Sequence, residues 1–88
     1  MNVRFAKNFL KDLASVPSKE RAKIEAFVFE EILTLDEISS INSIKKLKGY
    51  PSYYRIRFGN YRVGISYTNE ILTFERVLHR KEIYRYFP

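Results

Sequence analysis

Residues 53–67 read YYRIRFGNYRVGISY, the pattern of two alternating strands joined at Gly59-Asn60. Alternation on both sides of such a dipeptide is a strong signal for a β-hairpin. A two-residue loop sets the register, so we expect Phe58 opposite Tyr61 and Arg57 opposite Arg62. Successive side chains of a strand point to opposite faces. One face of the hairpin therefore carries six apolar or aromatic residues: Tyr54, Ile56, Phe58, Tyr61, Val63 and Ile65.

Three arginines occupy the other face of this hairpin: Arg55, Arg57 and Arg62. Gly64 is expected to leave open space beside them. Like charges directly across a ladder destabilise a sheet, so Arg57 opposite Arg62 lowers stability unless an anion lies on that face. A single arginine on an exposed sheet face is more often a solubilising residue. Three on one small patch predict a phosphate-binding surface.

The composition indicates one small folding domain. The chain has 88 residues, enough for a single modest core, so we expect residues 1–88 to form one domain. It contains no cysteine, which excludes a disulfide framework and a thiolate metal site. The first residues lack a signal-peptide core, and no apolar run approaches the length of a membrane span. We therefore expect a soluble, intracellular protein with no membrane partner.

The net charge of +6 is unevenly distributed. Residues 1–40 contain six Lys/Arg and seven Asp/Glu, whereas residues 41–88 contain ten and three. All seven tyrosines also lie in the second half. Basic residues interleaved with aromatics are typical of a nucleic-acid interface. An acidic protein partner would also suit the charge, and a membrane surface suits it least because no basic amphipathic helix stands out.

The flanking sequence predicts an α+β fold. Asn2 to Phe5 forms a short strand, a first helix runs from about Ala6 and stops before Pro17, and Ser18 caps a second helix. That helix presents an apolar stripe made by Ala22, Ile24, Phe27, Val28, Ile32 and Leu35. A last strand covers Ile71 to Leu78, and a helical turn or extended tail follows it. The expected order is β-α-α-β-β-β, a small antiparallel sheet with an N-terminal helical hairpin packed on one face.

The sequence bears on three further details of the strand region. Glu75 is expected beside Gly64, where it could pair with Arg55. The apolar pattern blurs at Arg76–Leu78, which indicates a bulge or a register change there. The lysines of Ile44–Gly49 form either a solvated approach to the sheet or additional charge for binding a nucleic-acid backbone.

The residue inventory excludes most catalytic chemistries. One histidine and two aspartates disfavour a metal cluster, and the three glycines match no phosphate-cradling loop, so we expect no metal and no cofactor. A metal-free anion site remains, made by Arg55, Arg57, Arg62 and Arg80. Such a site suits cleavage of RNA at its own 2′-hydroxyl, because arginine forks stabilise phosphorane charge and tyrosines stack on unpaired bases.

Proton transfer in such a reaction needs a group that can change its protonation state. His79, Glu82 and Tyr84 are the candidates near the arginines in sequence. Each also has a simpler role: a surface histidine, a helix-surface carboxylate and an anchor for the tail.

Three stretches of the chain resemble the RelE/ParE toxin superfamily, specifically its RelE side. They are LKGYPSYYRIRFGNYRVGI (residues 47–65), VLHRKEIYRYFP (residues 77–88) and the opening FAKNFLKDLASVP. The resemblance covers essentially the whole chain. It implies a RelE-like microbial RNase fold and a cytoplasmic toxin that enters the ribosomal A site, cuts the bound mRNA without a cofactor and inhibits translation. It also implies a RelB-like antitoxin that wraps the toxin and blocks it.

The resemblance also implies roles for individual residues. The catalytic positions that match are Arg57, Arg62, Arg80 and Tyr84, with Arg55 on the same strand. Some relatives carry lysines at positions 55 and 57, where one transfers a proton. Arginine is a poorer base, so we expect either that Tyr84 or His79 transfers the proton or that the reaction is slower. The RNA backbone is expected to contact Arg55 and the neighbouring basic residues Lys46, Lys48, Lys81 and Arg85.

Two other functions are compatible with the same resemblance. One is a ParE-like toxin that inhibits DNA gyrase without enzymatic activity. The other is a degenerate member that only binds RNA or its antitoxin. The full set of arginines with a C-terminal tyrosine favours the nuclease.

Overall fold

All 88 residues are described by the computed structural model. It contains one five-stranded sheet, three helices and two short 3-10 turns. The elements follow along the chain as β1 (Asn2–Phe5), α1 (Lys7–Ala14), α2 (Ser18–Phe29), the 3-10 turns Glu31–Thr34 and Ile38–Ser40, β2 (Ile44–Lys46), β3 (Tyr53–Phe58), β4 (Tyr61–Thr68), β5 (Ile71–His79) and α3 (Ile83–Tyr86).

The strands lie in the order β1-β5-β4-β3-β2. The α+β class is confirmed, but the sheet is mixed because β1 runs parallel to β5. The expectation of a purely antiparallel sheet was therefore wrong in this respect. β2 adds a fifth strand at the edge, pairing Ile44 with Ile56. Its three residues are too few to show a strand periodicity in the sequence, and only the partner strand defines them.

The β3–β4 hairpin has the predicted register. Phe58 lies opposite Tyr61 and Arg57 opposite Arg62, and the chain turns at Gly59-Asn60. Gly59 has a φ of 57°, a left-handed conformation that glycine adopts without steric penalty. This register divides the sheet into two surfaces. We call the side with Arg55, Arg57 and Arg62 the arginine face and the opposite side the helix face.

α1 and α2 cover the helix face and form the main core with it. Fourteen buried residues make one cluster there, which includes Phe9, Ile24, Val63 and Phe74. The Phe9 and Phe74 rings lie 5.4 Å apart, within the range of favourable aromatic contacts. The predicted packing of a helical hairpin on one sheet face is thus confirmed.

The second helix begins differently from the prediction. Pro17 occupies the N-cap and Ser18 is already the first helical residue, so the expected Ser18 cap is absent. The fixed φ of proline suits the start of a helix. The helix ends at Phe29, and Ile32 reaches the core from the 3-10 turn that follows. The apolar stripe predicted for one helix therefore spans two elements.

A β-bulge interrupts the pairing of β4 with β5. Ile65 pairs with Phe74 but Gly64 pairs with Arg76, so Glu75 is the extra residue. The bulge lies one residue before the predicted Arg76–Leu78 segment. It explains the blurred pattern, because it returns Val77 to the core while Arg76 points to the arginine face.

Gly64 does not leave open space on the arginine face, contrary to the prediction. A Cβ atom added at Gly64 would lie 2.6 Å from Cδ2 of Phe87. Phe87 also packs edge-on against Tyr53, with ring centroids 5.5 Å apart. The C-terminal segment after β5 thus folds back over the arginine face, with Ile83 and Phe87 both buried.

This contact generates a first prediction. Gly64→Ala should lower the free energy of unfolding by about 1 to 3 kcal/mol, because the new methyl group overlaps the Phe87 ring. In a Phe87→Ala background the same substitution should be neutral or slightly stabilising, since alanine suits a strand better than glycine. Denaturant unfolding of the four proteins measures both effects. An equal cost in the two backgrounds would contradict this contact.

Candidate functional site

Arg62 is held against the β3–β4 turn by its own side chain. Its Nη1 atom donates hydrogen bonds to the carbonyl oxygens of Gly59, at 2.8 Å, and Tyr61, at 3.0 Å. The guanidinium makes no other hydrogen bond within the protein, so Nε and Nη2 keep donors for a ligand. The turn thus orients Arg62 without using up its hydrogen-bonding capacity.

Several charged groups surround this guanidinium. Partial burial lowers the pKa of Arg62 below the usual arginine value. Three further guanidinium groups lower the pKa of Arg62 as well: Arg55, Arg57 and Arg80. Tyr84 acts in the opposite direction and raises it. The β3–β4 register places Arg55, Arg57 and Arg62 on one face, and the Arg80 N–H donates a hydrogen bond to the turn that joins these strands. We call these four basic residues the arginine cluster.

The arginine cluster has no acidic partner. The only salt bridge of the protein joins Arg76 to Asp12, outside the cluster. Glu75, which we expected beside Gly64 and paired with Arg55, instead accepts a 2.7 Å hydrogen bond from the Ser66 hydroxyl. The bulge causes this difference, because it places Arg76 rather than Glu75 opposite Gly64. Four positive charges are therefore left without compensation.

Lys45 extends this surface, although the sequence analysis considered it only as one of the lysines of residues 44–49 and did not assign it to the site. Lys45 pairs with Arg55 across the β2–β3 ladder, which places its side chain on the arginine face. With Arg55 and Arg57 it lines a shallow cleft of about 290 Å³. Lys46 pairs with Tyr54 and so belongs to the helix face. Alternation outward from Ile44 would have identified Lys45 once β2 was recognised as a strand.

Tyr84 is exposed on α3, with 57% of its surface accessible. It lines a second shallow cleft of about 250 Å³ together with Lys48, Tyr50 and Phe87. Lys48 therefore lies beside Tyr84. The phenol can both donate and accept a hydrogen bond, which no arginine can do.

His79 lies away from the arginine cluster. It pairs with Tyr61 across β4–β5, on the helix face, and the two rings pack edge-on at 5.5 Å. Its Nδ1 atom accepts a hydrogen bond from the backbone N–H of Lys81. It lines a cleft of about 480 Å³ that also includes Ser15 and Glu82. The structure thus separates His79 from the arginines by the thickness of the sheet, and sequence proximity to Arg80 was misleading.

The remaining predicted residues lie on the surface near the end of β5. Arg80 follows the strand, and its N–H donates a 2.7 Å hydrogen bond to the Asn60 carbonyl, which ties it to the β3–β4 turn. Lys81 is exposed in the next turn and Arg85 is exposed on α3. Neither side chain makes a hydrogen bond or a salt bridge. Both therefore remain available to a ligand.

A separate hydrogen-bond network joins α1 to β5 beside the site. The Asp12 carboxylate of α1 accepts hydrogen bonds from Arg76 Nε at 2.7 Å and Arg76 Nη2 at 3.1 Å. It also accepts a hydrogen bond from the backbone N–H of Val77 at 3.1 Å. This N–H lies beyond the end of the β1–β5 ladder, so Asp12 supplies the acceptor that β1 does not. The hydrogen bond with Asp12 raises the pKa of Arg76 above the usual arginine value.

Two further observations concern metal-ligand groups and membrane-spanning helices. No three histidine, cysteine or acidic side chains come together in a group that could hold a metal ion. None of the helices has both the length and the apolar composition to cross a bilayer.

Comparisons with known proteins place this geometry in a family. A family sequence model described as "ParE toxin of type II toxin-antitoxin system, parDE" matches residues 3–84. Toxin RelE3 of Methanocaldococcus jannaschii is 49% identical over the full length of both chains. A toxin–antitoxin RelB–RelE complex from Methanococcus jannaschii matches with a TM-score of 0.78 and 48% identity, covering 97% of this chain and 99% of the other. A RelE–RelB complex from Pyrococcus horikoshii matches with a TM-score of 0.68 and 25% identity, covering 90% of this chain and 93% of the other.

The uncompensated cluster generates a second prediction. Arg57→Gln should raise the free energy of unfolding at low salt by about 0.5 kcal/mol, because it removes the like charge opposite Arg62. Salt should reduce this gain because it screens exposed charges. Arg4→Gln is the matched control, since Arg4 is exposed on β1 opposite the uncharged Thr73. Denaturant unfolding at low and high salt tests this. A stabilisation that is the same at both salt concentrations would rule out charge repulsion.

Proposed function

Because this chain belongs to the RelE/ParE family of toxin–antitoxin toxins, on its RelE branch, we propose that it cleaves mRNA in the ribosomal A site. The observation that carries the proposal is the arginine cluster, which has no acidic partner and lies beside one exposed tyrosine. Positive charges that repel one another on a small surface lower the stability of the protein. Such a cluster is expected where an anion binds. A phosphodiester backbone is the anion that this family resemblance favours.

The proposed reaction uses the 2′-hydroxyl of the RNA as nucleophile. A bond forms between the 2′-oxygen and the adjacent phosphorus, and the bond from phosphorus to the 5′-oxygen breaks. The products are a 2′,3′-cyclic phosphate and a 5′-hydroxyl. The 2′-hydroxyl loses its proton and the leaving 5′-oxygen gains one, so the protein supplies charge stabilisation and proton transfer, and no metal or other cofactor takes part.

The geometry supports a proposed role for each residue of the site. Arg62, oriented by the Gly59 and Tyr61 carbonyls, directs its free donors to the phosphorane oxygens, and Arg57 and Arg80 add charge on either side. Tyr84 is the proton-transfer group, since it is the one member of the site that is not permanently charged. His79 takes no part in this proposal because it lies on the helix face.

The RNA on either side of the cut lies along the basic surface. Arg55 and Lys45 hold the backbone near β2 and β3, and Lys48 holds it beside Tyr84. Lys81 and Arg85 contribute charge at the other end of the site. These contacts neutralise phosphates without reading sequence, so the ribosome would determine which codon is presented. A ribosomal substrate also places the toxin in the cytoplasm.

We propose a RelB-like antitoxin as the partner of this chain. Two of the structural relatives are complexes of RelE with RelB. On the helical side this chain exposes Leu10, Phe29 and Leu33, the last with 73% of its surface accessible. An amphipathic segment of a partner would bury such apolar residues. Expression of the toxin without any effect on growth, in the absence of a partner, would count against this pairing.

The alternative is a ParE-like toxin that inhibits DNA gyrase without cleaving nucleic acid. Its support is the description of the matching family sequence model, which names ParE. A shared fold does not determine the activity. On that reading the arginine cluster would bind a protein surface.

A third prediction tests the assignment of the arginines. Purified protein is added to ribosomes stalled on a defined mRNA with an empty A site, and the mRNA ends are mapped. Arg62→Gln and Arg80→Gln should each reduce the cleavage rate about a hundredfold, because each removes charge stabilisation of the transition state. Arg4→Gln, which removes an arginine at a distant edge of the sheet, should cleave normally.

Three outcomes of this assay would redirect the interpretation. Normal cleavage by Arg62→Gln would refute the site. Equal cleavage of free mRNA would refute dependence on the ribosome. Intact mRNA with the wild-type protein, together with inhibited gyrase supercoiling, would favour the ParE-like alternative.

A fourth prediction separates the two candidates for proton transfer. Tyr84→Phe should lower kcat at least about a hundredfold and leave KM unchanged, because the phenol acts on the reacting oxygens and not on backbone binding. His79→Gln should retain most of the activity, since His79 lies on the helix face. The same ribosome assay measures both variants. The reverse pattern, an active Tyr84→Phe and an inactive His79→Gln, would show that the wrong residue is assigned.

A further inference from the structure

α3 cannot hold its position through its own helical structure. It has four residues, Ile83–Tyr86, and isolated helices much longer than this are marginal in water. Its backbone hydrogen bonds include those from Arg85 N–H to the Glu82 carbonyl and from Phe87 N–H to the Ile83 carbonyl. Contacts with the sheet must therefore determine where α3 lies.

Two of these contacts are apolar and one is electrostatic. Ile83 and Phe87 are buried at the two ends of the segment. Between them, the guanidinium carbon of Arg76 lies 5.4 Å from the centroid of the Tyr86 ring, a cation–π geometry. Arg76 is the only charged residue of the sheet that contacts α3 in this way, and it differs from the arginine cluster in having a carboxylate partner.

Asp12 gives Arg76 one orientation. Its carboxylate accepts hydrogen bonds from both Nε and Nη2 of Arg76, which fixes the plane of the guanidinium. The same carboxylate accepts a hydrogen bond from the Val77 N–H, so Asp12 is itself bound to the backbone of β5. The Asp12 side chain is 11% exposed and that of Arg76 is 23% exposed, so water competes little with this pair.

Tyr84 depends on these anchors because it has none of its own. It lies between Ile83 and Tyr86 in sequence and is more than half exposed. Phe87, three residues further along the chain, packs over Gly64 on the arginine face, which brings the segment that carries Tyr84 to the arginine cluster. The rise that Tyr84 causes in the pKa of Arg62 agrees with this position. A rotation or displacement of α3 would move Tyr84 away from Arg62 without disturbing any residue of the main core.

We propose that Asp12, Arg76 and Tyr86 form a positioning chain that holds α3 on the sheet and so places Tyr84 next to Arg62. The role of Tyr84 in cleavage rests on the function proposed above, whereas the restraint on α3 does not. Asp12, Arg76 and Tyr86 are positioning residues, and none of them contacts the RNA in this scheme.

The first part of the test follows α3 in the free protein, independently of activity. Amide hydrogen exchange is measured for Arg85 and Phe87 in wild type, Arg76→Gln and Tyr86→Leu. Both substitutions should accelerate exchange of these amides about tenfold, the effect expected for loss of a cation–π contact of ordinary strength. Amides of the β3–β4 ladder should be unaffected, because Tyr86 is half exposed and lies outside the core. Tyr86→Phe keeps the aromatic ring and should exchange like wild type.

The second part is a double-mutant cycle in the ribosome assay. Tyr86→Leu should lower kcat about tenfold and leave KM unchanged, while the separate variant Tyr86→Phe, which keeps the ring, should have the wild-type rate. In a Tyr84→Phe background, Tyr86→Leu should have no further effect, because the residue that it positions is already inactive. A merely destabilising substitution would lower activity equally in both backgrounds.

The outcomes distinguish this inference from the proposed function. Unchanged exchange at Arg85 and Phe87 in both variants would overturn the positioning chain, whatever the activity. Additive losses in the cycle would overturn the connection to Tyr84. If the wild type cleaves nothing, the proposed function fails, and amide exchange alone still decides whether Arg76 and Tyr86 hold α3.

Discussion

Burial of one face of the β3–β4 hairpin is the constraint on which the rest of the structure depends. Ile56, Val63 and Ile65 are buried against the helices, so every second residue of the two strands is committed to the core. A slip of one residue would exchange the two faces and expose this core. The intervening residues must therefore occupy the other face, and three of them are arginines. The charged surface is thus a geometric consequence of the same alternation that forms the core.

The sheet contains two kinds of arginine with different environments. Arg76 is bound by a carboxylate through two hydrogen bonds and carries an aromatic ring over its guanidinium. Arg62 has only carbonyl partners and three guanidinium neighbours that disfavour its charge. A buried or half-buried charge is stabilised by a partner, whereas an uncompensated cluster gains stability only when an anion arrives. The first environment is typical of a structural residue, and the second agrees with the anion-binding role proposed for Arg62.

The C-terminal segment connects these two environments. Phe87 occupies the space over Gly64 that any larger side chain at that position would fill, and Tyr86 lies over Arg76. Just before these two residues the chain presents Tyr84 to solvent at the edge of the arginine cluster. The relatives of known structure share this fold at TM-scores of 0.68 and 0.78. Within such a family, differences in activity are expected to arise from a few surface side chains on an unchanged sheet.

The sequence by itself determined the hairpin, its register, the arginine face and the packing of two helices on the other side, because each depends on local periodicity and turn chemistry. Contacts between residues distant in the chain decided the rest. The bulge at Glu75 removed the expected partner of Arg55, Phe87 filled the space at Gly64, the pairing of β2 with β3 brought Lys45 to the site, and the pairing with Tyr61 carried His79 to the helix face. The blurred apolar pattern indicated a bulge near Arg76, but no local pattern encodes the partners that result. Each placement depends on packing against a residue that only the folded chain brings within reach.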